Sequence, residues 1–177
     1  QPSLSKGVKS LLSTERCELH MLKESDSYLI KKLYDNEQVR KYLGGTVNEE
    51  SFKQRFHEMV QSPNKKHYWS VFNENSQEFV GMVFLDTYHD GIHTEIGFQL
   101  LPEFWGKGVA REVITTVLHY GFRTVKLDKV MAETQSQNKA SCKLLLSVGM
   151  RLEKKIQRFG NEQSVFAIAG TGRRSEM

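Results

Sequence analysis

A chain of 177 residues with 38% hydrophobic and 26% charged residues has the size and composition of one soluble globular domain, not of a disordered segment. No apolar run approaches the roughly 20 residues that span a bilayer, and the net charge of +4 comes from scattered lysines and arginines, a pattern that suits a small anionic ligand better than nucleic acid. The two cysteines, Cys17 and Cys142, lie too far apart in sequence to suggest a disulfide framework or a zinc site, so a reducing cytoplasmic setting is expected.

The N-terminal third predicts an extension, a strand and a helix. Residues 1–13 lack a periodic pattern and are expected to form a loose extension, with the domain beginning at residue 14. Alternation over 17–22 predicts the first strand. Ser25 or Asp26 is the candidate N-cap of the helix that follows. The buried stripe of this helix is predicted to be Leu29, Ile30, Leu33 and Tyr34.

A second helix is predicted after the break at Gly44-Gly45. Thr46 and Glu49 have the spacing of a capping box, and Pro63-Asn64 is the predicted end of the helix. Phe52, Phe56, Met59 and Val60 would lie on one face. The next two strands, predicted to pair as an antiparallel hairpin, are 68–72 and 79–86.

The second half alternates strands with helices. Apolar spacing predicts a helix from Val109 to Phe122 and another over 138–148, which Gly149 would end. Residues 170–177 are expected to be a flexible tail. The strands predicted around these helices are 94–101, 129–134, 150–156 and 163–169.

The resulting order is β-α-α-β-β-β-α-β-α-β-β. Three strands in succession argue against a purely parallel sheet, so the sequence predicts a mixed, mostly antiparallel sheet flanked by helices. The fold class is therefore α/β in the broad sense (α+β), as a single domain over residues 14–169.

The segment Pro102-Glu-Phe-Trp-Gly-Lys-Gly-Val-Ala110 links a strand to a helix and predicts an anion site. Gly106 and Gly108 let the backbone curl so that several N–H groups face one concavity, and the first helical turn adds unpaired donors. A P-loop would need Ser or Thr after Lys107, and a dinucleotide fingerprint would need Gly or Ala in place of Arg111. An ordinary glycine-rich turn remains the alternative.

The run Trp105-Gly-Lys-Gly-Val-Ala110, with Glu112 two residues on, resembles the pyrophosphate loop of the RimJ/RimL-like branch of the GNAT superfamily of N-acetyltransferases. The strand 94–101 is similar to the central strand of that family, Asn138-Lys-Ala-Ser141 to its second cofactor motif, and 14–19 to its first strand. The resemblance covers about residues 14–169. It implies the GNAT fold, in which the central strand splays from its neighbour and leaves a V-shaped opening.

The resemblance also implies direct transfer of the acetyl group of acetyl-CoA onto a primary amine in a ternary complex. Asn138 would bind the pantetheine amide or the thioester region, and Ser141 would lie near the sulfur. Backbone groups of Gln99, Leu100 and Leu101 would pair with the pantetheine arm. The pyrophosphate would be held by amides of Trp105, Gly106, Lys107, Gly108, Val109 and Ala110.

Glu95 is the expected general base, because it lies on the central strand and a carboxylate can take the proton of an amine. Glu133 on the neighbouring strand is the alternative, and an exposed structural glutamate is the other interpretation of Glu95. Many family members carry a tyrosine acid where this chain has Leu145, so Ser141 is the expected donor to the sulfur unless its hydroxyl bonds to its own helix. His89 and His93 are expected to have surface or loop roles.

The sequence leaves the acceptor open between a protein N-terminus, including that of a ribosomal protein, and a small amine. The alternative function is a catalytically silent module that binds acyl-CoA, which the missing tyrosine makes conceivable. We expect no metal, nucleic acid or membrane partner, and a monomer or homodimer.

Overall fold

The computed structural model describes residues 11–61 and 66–171. The strands are β1 (Leu11–Ser13), β2 (Cys17–Met21), β3 (His67–Asn73), β4 (Phe79–Thr87), β5 (Thr94–Leu100), β6 (Lys129–Gln135), β7 (Arg151–Arg158) and β8 (Asn161–Ala169). The helices are α1 (Ser27–Tyr34), α2 (Glu37–Arg40), α3 (Glu49–Val60), α4 (Val109–Arg123) and α5 (Lys139–Ser147). The predicted helix end at 63–64, residues 1–10 of the predicted extension and 172–177 of the predicted tail lie outside the described residues.

The strands form one sheet in the order β1-β2-β3-β4-β5-β6-β8-β7. Neighbouring strands are antiparallel except for β5 and β6, which run parallel because α4 carries the chain back between them. The predicted mixed, mostly antiparallel sheet flanked by helices is therefore confirmed.

The two central strands separate soon after they meet. Strands β5 and β6 pair only at Thr94 with Val130 and at Glu95 with Met131, although both strands continue for several residues beyond. The carboxyl ends of β5 and β6 are thus unpaired with each other. This is the predicted V-shaped opening, closed at Glu95 and open toward the ends of the two strands.

Alternation along the strands builds two cores on opposite faces of the sheet. On β4, Val83 and Leu85 pack with α4 and α5, whereas Met82 lies with the apolar residues of α1 and α3. The side chain of Glu95 alternates with the buried Ile96, which belongs to the α4 core. Glu95 therefore faces the side of the sheet covered by α1 and α3.

The main differences from the sequence prediction lie at the N-terminal side. Residues Leu11–Ser13, expected in the loose extension, pair with β2 as an edge strand. The helix α3 is capped by the side chain of Asn48, not by Thr46, and Asn36 caps the unpredicted α2. Each of these features spans at most four residues, which is too short to produce a periodic pattern in the sequence.

Candidate active site

Two segments expected to hold a ligand meet at the open end of the V. The loop 105–108 follows β5, and Asn138, which precedes α5, follows β6. Because β5 and β6 are parallel, their carboxyl ends lie at the same edge of the sheet. The structure therefore brings together the two predicted cofactor segments, which are about 30 residues apart in sequence, on either side of one opening.

The loop presents unpaired backbone donors. Gly106 and Gly108 have φ angles of 71° and 79°, in the left-handed region that favours glycine, and Gly108 is the N-cap of α4. Among the described residues, no acceptor lies within reach of the backbone N–H of Gly106, Lys107 or Gly108. The N–H groups of Val109 and Ala110 in the first turn of α4 likewise lack an acceptor within the described part of the chain, as is usual at a helix start. Such a cradle fits a phosphate group.

Trp105 differs from its neighbours in the loop. Its backbone N–H donates to Pro102 O at 3.1 Å, and its indole Nε1–H donates to Leu100 O at 2.9 Å. The predicted use of the Trp105 amide for pyrophosphate is therefore not supported by its hydrogen bonding. Trp105 is 48% exposed, and the hydrogen bond of its indole group links the loop to the end of β5.

The register of β5 decides which backbone groups face the opening. Leu101 N–H donates to Val80 O at 2.9 Å, and Gln99 pairs with Met82, so alternation turns both residues toward β4. Of the three residues predicted to pair with the pantetheine arm, only Leu100 faces the gap, and its carbonyl accepts from the Trp105 indole. The groups that remain are the N–H of Leu100 and both backbone groups of Phe98, which sequence reasoning missed.

Gln99 nevertheless carries an unsatisfied polar atom. Its side chain is 7% exposed, and its Oε1 has no hydrogen-bond donor among the described residues. A buried amide oxygen without a donor is costly to the stability of the fold.

The start of α5 is arranged around Asn138. Its side-chain Oδ1 accepts the backbone N–H of Ser141 at 3.2 Å as an N-cap, which leaves the side-chain NH₂ group available. Within the described part of the chain, the Ser141 hydroxyl makes no hydrogen bond to its own helix, in contrast to Ser147, whose hydroxyl donates to Leu144 O. Leu145 is fully buried in the core.

Glu95 lies at the closed end of the V. It is partly buried, and no cation or hydrogen-bond donor contacts its carboxyl group within the described residues. Burial raises its pKa to about 7, the nearby carboxylates of Glu133 and Asp86 contribute in the same direction, and Arg158 partly opposes them. A carboxyl group with this pKa can both take and release a proton near neutral pH.

The other carboxylates on this face are already engaged. Glu133 accepts from Tyr88 Oη at 2.8 Å, lies 3.0 Å from His89 Nε2, and is bonded by Arg158 Nη1 at 3.2 Å. Asp86 accepts the hydroxyl of Tyr68 and lies 3.3 Å from Lys66 Nζ. Glu133 is thus a weaker candidate base than Glu95, because a proton acceptor needs a free oxygen.

The two predicted loop histidines also have contacts. His93 Nδ1 lies 2.5 Å from Asp90 Oδ2, whose pKa is lowered chiefly by that side-chain contact. His89 contacts Glu133, as described above. The contact of His93 therefore lies within the turn that leads into β5, whereas His89 links that turn to β6.

A cleft of about 540 Å³ adjoins the loop on the side of α1. Two lysines line it from opposite elements, Lys32 from α1 and Lys107 from the loop, together with the carboxylates of Glu78 and Glu103. The cleft lies at the carboxyl end of β5, away from Glu95. Lys32 was missed by sequence reasoning, since nothing in its helical spacing distinguishes it from a solvated surface lysine.

Arg16 is a further residue that sequence reasoning missed, after Phe98 and Lys32. Its guanidinium donates to the carbonyl of Lys107 at 3.1 Å and pairs with Glu112 at 2.9 Å. A contact between residues 96 positions apart leaves no local pattern in the sequence.

Among the described residues, no group of three or more His, Cys, Asp or Glu is placed to hold a metal ion. None of the described helices has both the length and the apolar character needed to cross a membrane.

Comparison with known proteins identifies the family. The sequence profile of the acetyltransferase (GNAT) domain matches residues 16–151. This chain is a member of the GNAT acetyltransferase family. It is 30% identical over 150 residues to the uncharacterized N-acetyltransferase YoaA of Bacillus subtilis, covering 81% of this chain and 84% of that protein.

Two other N-acetyltransferases are also similar to this chain. The [ribosomal protein uS5]-alanine N-acetyltransferase of Escherichia coli is 27% identical over 88 residues, which are 49% of this chain and 45% of that enzyme. The crystal structure of spermidine N-acetyltransferase from Vibrio cholerae, in complex with CoA and spermine, superposes with a TM-score of 0.76 at 20% identity, over 87% of this chain and 95% of that one. The GNAT fold is thereby confirmed, and acetyl-CoA is the cosubstrate that the family uses.

Proposed function

We propose that this GNAT protein transfers the acetyl group of acetyl-CoA directly to a primary amine at the closed end of the V, with Glu95 as the general base. The observation that carries the proposal is the state of Glu95. It is the carboxyl group on this face of the sheet that no described residue engages, and burial raises its pKa to about 7.

The reaction needs a neutral amine as nucleophile. An α-amine has an ordinary pKa of about 7.7–8.0 and a lysine amine about 10.4, so a base with a pKa near 7 is better matched to the α-amine. Glu95 would take one proton as the new C–N bond forms and the C–S bond breaks. The hydroxyl of Ser141, which has no other partner among the described residues, would donate a hydrogen bond to the departing sulfur.

The donor would enter from the open end of the V. The free N–H groups of the loop would hold the pyrophosphate, with Lys107 and Lys32 beside them. Phe98 and Leu100 would pair with the pantetheine arm as an added strand does with a sheet edge, and the NH₂ group of Asn138 would bind the same arm from the opposite side.

For the acceptor, we favour an α-amine over a polyamine. A polyamine carries several positive charges and is best bound by several free carboxylates. Glu133 is occupied by Arg158, and Asp86 by Lys66 and Tyr68, which leaves Glu95. The matched Escherichia coli enzyme acts on a ribosomal-protein alanine and the Vibrio cholerae enzyme on spermidine, so both acceptor classes occur among the proteins similar to this chain.

The test is release of free thiol from acetyl-CoA with a panel of amines. The panel contains short peptides with a free N-terminal Ala or Ser and no lysine, the same peptides with a blocked N-terminus, and spermidine. We expect turnover with the free peptides and little with the other two. Preferential turnover of spermidine would overturn the acceptor assignment. Tight binding of CoA without turnover of any amine would instead favour the silent acyl-CoA-binding module.

A further inference from the structure

Arg16 ties the first strands to the loop that follows β5. It lies in the turn between β1 and β2, where its Nη1 donates to the carbonyl oxygen of Lys107 at 3.1 Å. Its Nη2 lies 3.5 Å from the position that a Cβ on Gly108 would occupy. One guanidinium therefore lies against Lys107 and Gly108, the last two residues of the loop.

Glu112 fixes the orientation of this guanidinium. Its Oε1 accepts Arg16 Nε at 2.9 Å, and its Oε2 accepts the backbone N–H of Arg16 at 2.9 Å and the hydroxyl of Thr14. Burial alone would raise the pKa of Glu112, but these hydrogen bonds lower it overall. A carboxylate held by several donors, with its side chain 16% exposed, is a firm anchor on the first turn of α4.

We infer that Arg16 is a positioning residue that presets the loop for the pyrophosphate of acetyl-CoA. The inference rests on the proposed use of this loop as the phosphate site. The peptide bond between Lys107 and Gly108 is planar and trans, so its C=O and its N–H point in opposite directions. By holding the Lys107 carbonyl on its own side, Arg16 turns the Gly108 N–H to the other side, into the cradle.

This role differs from simple attraction between Arg16 and an anion. A lysine at position 16 would keep the charge, but a single ammonium cannot reach Glu112 and the Lys107 carbonyl with the fixed fork of a guanidinium. Glu112→Gln gives a sharper contrast. It removes a negative charge near the phosphate site, so attraction alone predicts tighter binding of CoA, whereas loss of the anchor predicts weaker binding.

The experiment measures the dissociation constant of CoA by calorimetry and the kinetics with two donors, acetyl-CoA and S-acetylpantetheine, which lacks the pyrophosphate. We expect Arg16→Ala and Arg16→Lys each to raise the dissociation constant and the KM of acetyl-CoA about tenfold, the loss expected of one oriented hydrogen bond to an anion. Glu112→Gln should raise both a few-fold. With S-acetylpantetheine all three variants should match the wild type within about twofold, and kcat at saturating acetyl-CoA should be kept.

Arg123→Ala is the matched control, because it removes one arginine from the exposed far end of α4 and should leave CoA binding unchanged. Circular dichroism and thermal melting of the free proteins check that each variant folds. If Arg16→Ala does not fold, Arg16→Lys and Glu112→Gln still test the inference. Wild-type affinity in Arg16→Lys, tighter CoA binding in Glu112→Gln, or equal losses with both donors would overturn the inference. Failure of the wild type to bind CoA would instead remove the proposed phosphate site itself.

Discussion

The two ends of the V between β5 and β6 differ in the chemical groups that they present to a ligand. At the open end, the loop 105–108 and the first turn of α4 offer backbone N–H groups, and the surrounding side chains hold the loop in place. At the closed end, the carboxyl group of Glu95 has no hydrogen-bond partner within residues 11–61 and 66–171, whereas the neighbouring carboxylates are engaged. The open end is defined by backbone shape and the closed end by the burial of one titratable group.

Because the two ends differ in this way, substitutions at each end should change a different property of the protein. A backbone cradle tolerates many side chains but not a change in its glycine geometry. The partly buried carboxyl group of Glu95 tolerates a change of chemistry less than a change of shape, because its pKa and its free oxygens are what the site offers. Cofactor affinity and catalytic rate should therefore respond to different substitutions.

The largest effect is expected at the closed end. Glu95→Gln keeps the size of the side chain and removes the base, so kcat/KM should fall about 100- to 10,000-fold near neutral pH while the dissociation constant of CoA stays within about twofold. Steady-state thiol release and calorimetry measure the two quantities. Full activity of this variant would make Glu95 structural and leave the proton to water or Glu133.

At the open end, Gly108→Asp should weaken CoA binding about 100-fold or more without unfolding the protein. Its carboxylate would meet the phosphate at close range, and Arg16 Nη2, 3.5 Å from the new Cβ, could pair with it in the free protein. Gly160→Asp is the control, since Gly160 has a similar φ of 74° in an open turn. Equal CoA affinities for the two variants would show that the loop is not the phosphate site.

The burial of Glu95 should also make the free energy of unfolding depend on pH. Its pKa is about 7 in the folded protein against an ordinary 4.5, so ionisation costs folding free energy as the pH rises from 4.5 to 7. Glu95→Gln should therefore match the wild type near pH 4.5 and be more stable at pH 8. The full shift corresponds to about 3 kcal/mol, and solvent screening of the partly exposed carboxyl group reduces the expected difference to about 2 kcal/mol. Urea unfolding at both pH values tests this, with Glu58→Gln on the exposed side of α3 as control. A stability difference that does not change with pH would contradict the raised pKa.

The smallest effect separates Asn138 from its exposed neighbour Lys139. Asn138→Ala should raise the KM of acetyl-CoA about tenfold, because its NH₂ group is free to bind the donor, whereas Lys139→Ala should change it less than twofold. Asn138→Ser keeps a capping oxygen for α5 and isolates the amide contribution. Restoration of the wild-type KM by serine would mean that Asn138 acts only as a helix cap.

The sequence predicted most of the site where the relevant pattern lies within a few neighbouring residues. The glycine loop, the strand containing Glu95 and the capping Asn138 are each encoded within a few residues, and the structure places them around one opening. The periodicity of the long helix α4 was also sufficient, because fifteen residues repeat the pattern several times.

Contacts that depend on strand register, or on residues far apart in the chain, could not be predicted from the sequence. That Phe98 and Leu100, not Gln99 and Leu101, face the opening follows from the pairing of β5 with β4, which no pattern within β5 reveals. The anchoring of Arg16 by Glu112 depends on β1 and α4 meeting in space. The raised pKa of Glu95 likewise depends on burial, which the sequence of a half-polar strand does not specify.

The most direct test of the role of the closed end is the pH dependence of kcat/KM for an α-amine peptide, measured in the wild type and in Glu95→Gln. In the wild type, kcat/KM should rise with an apparent pKa of about 7 as Glu95 loses its proton, and this limb should be missing in Glu95→Gln. The deficit of the variant should shrink at higher pH, where the amine deprotonates without help. The same limb in both proteins, with the same apparent pKa, would contradict Glu95 as the base.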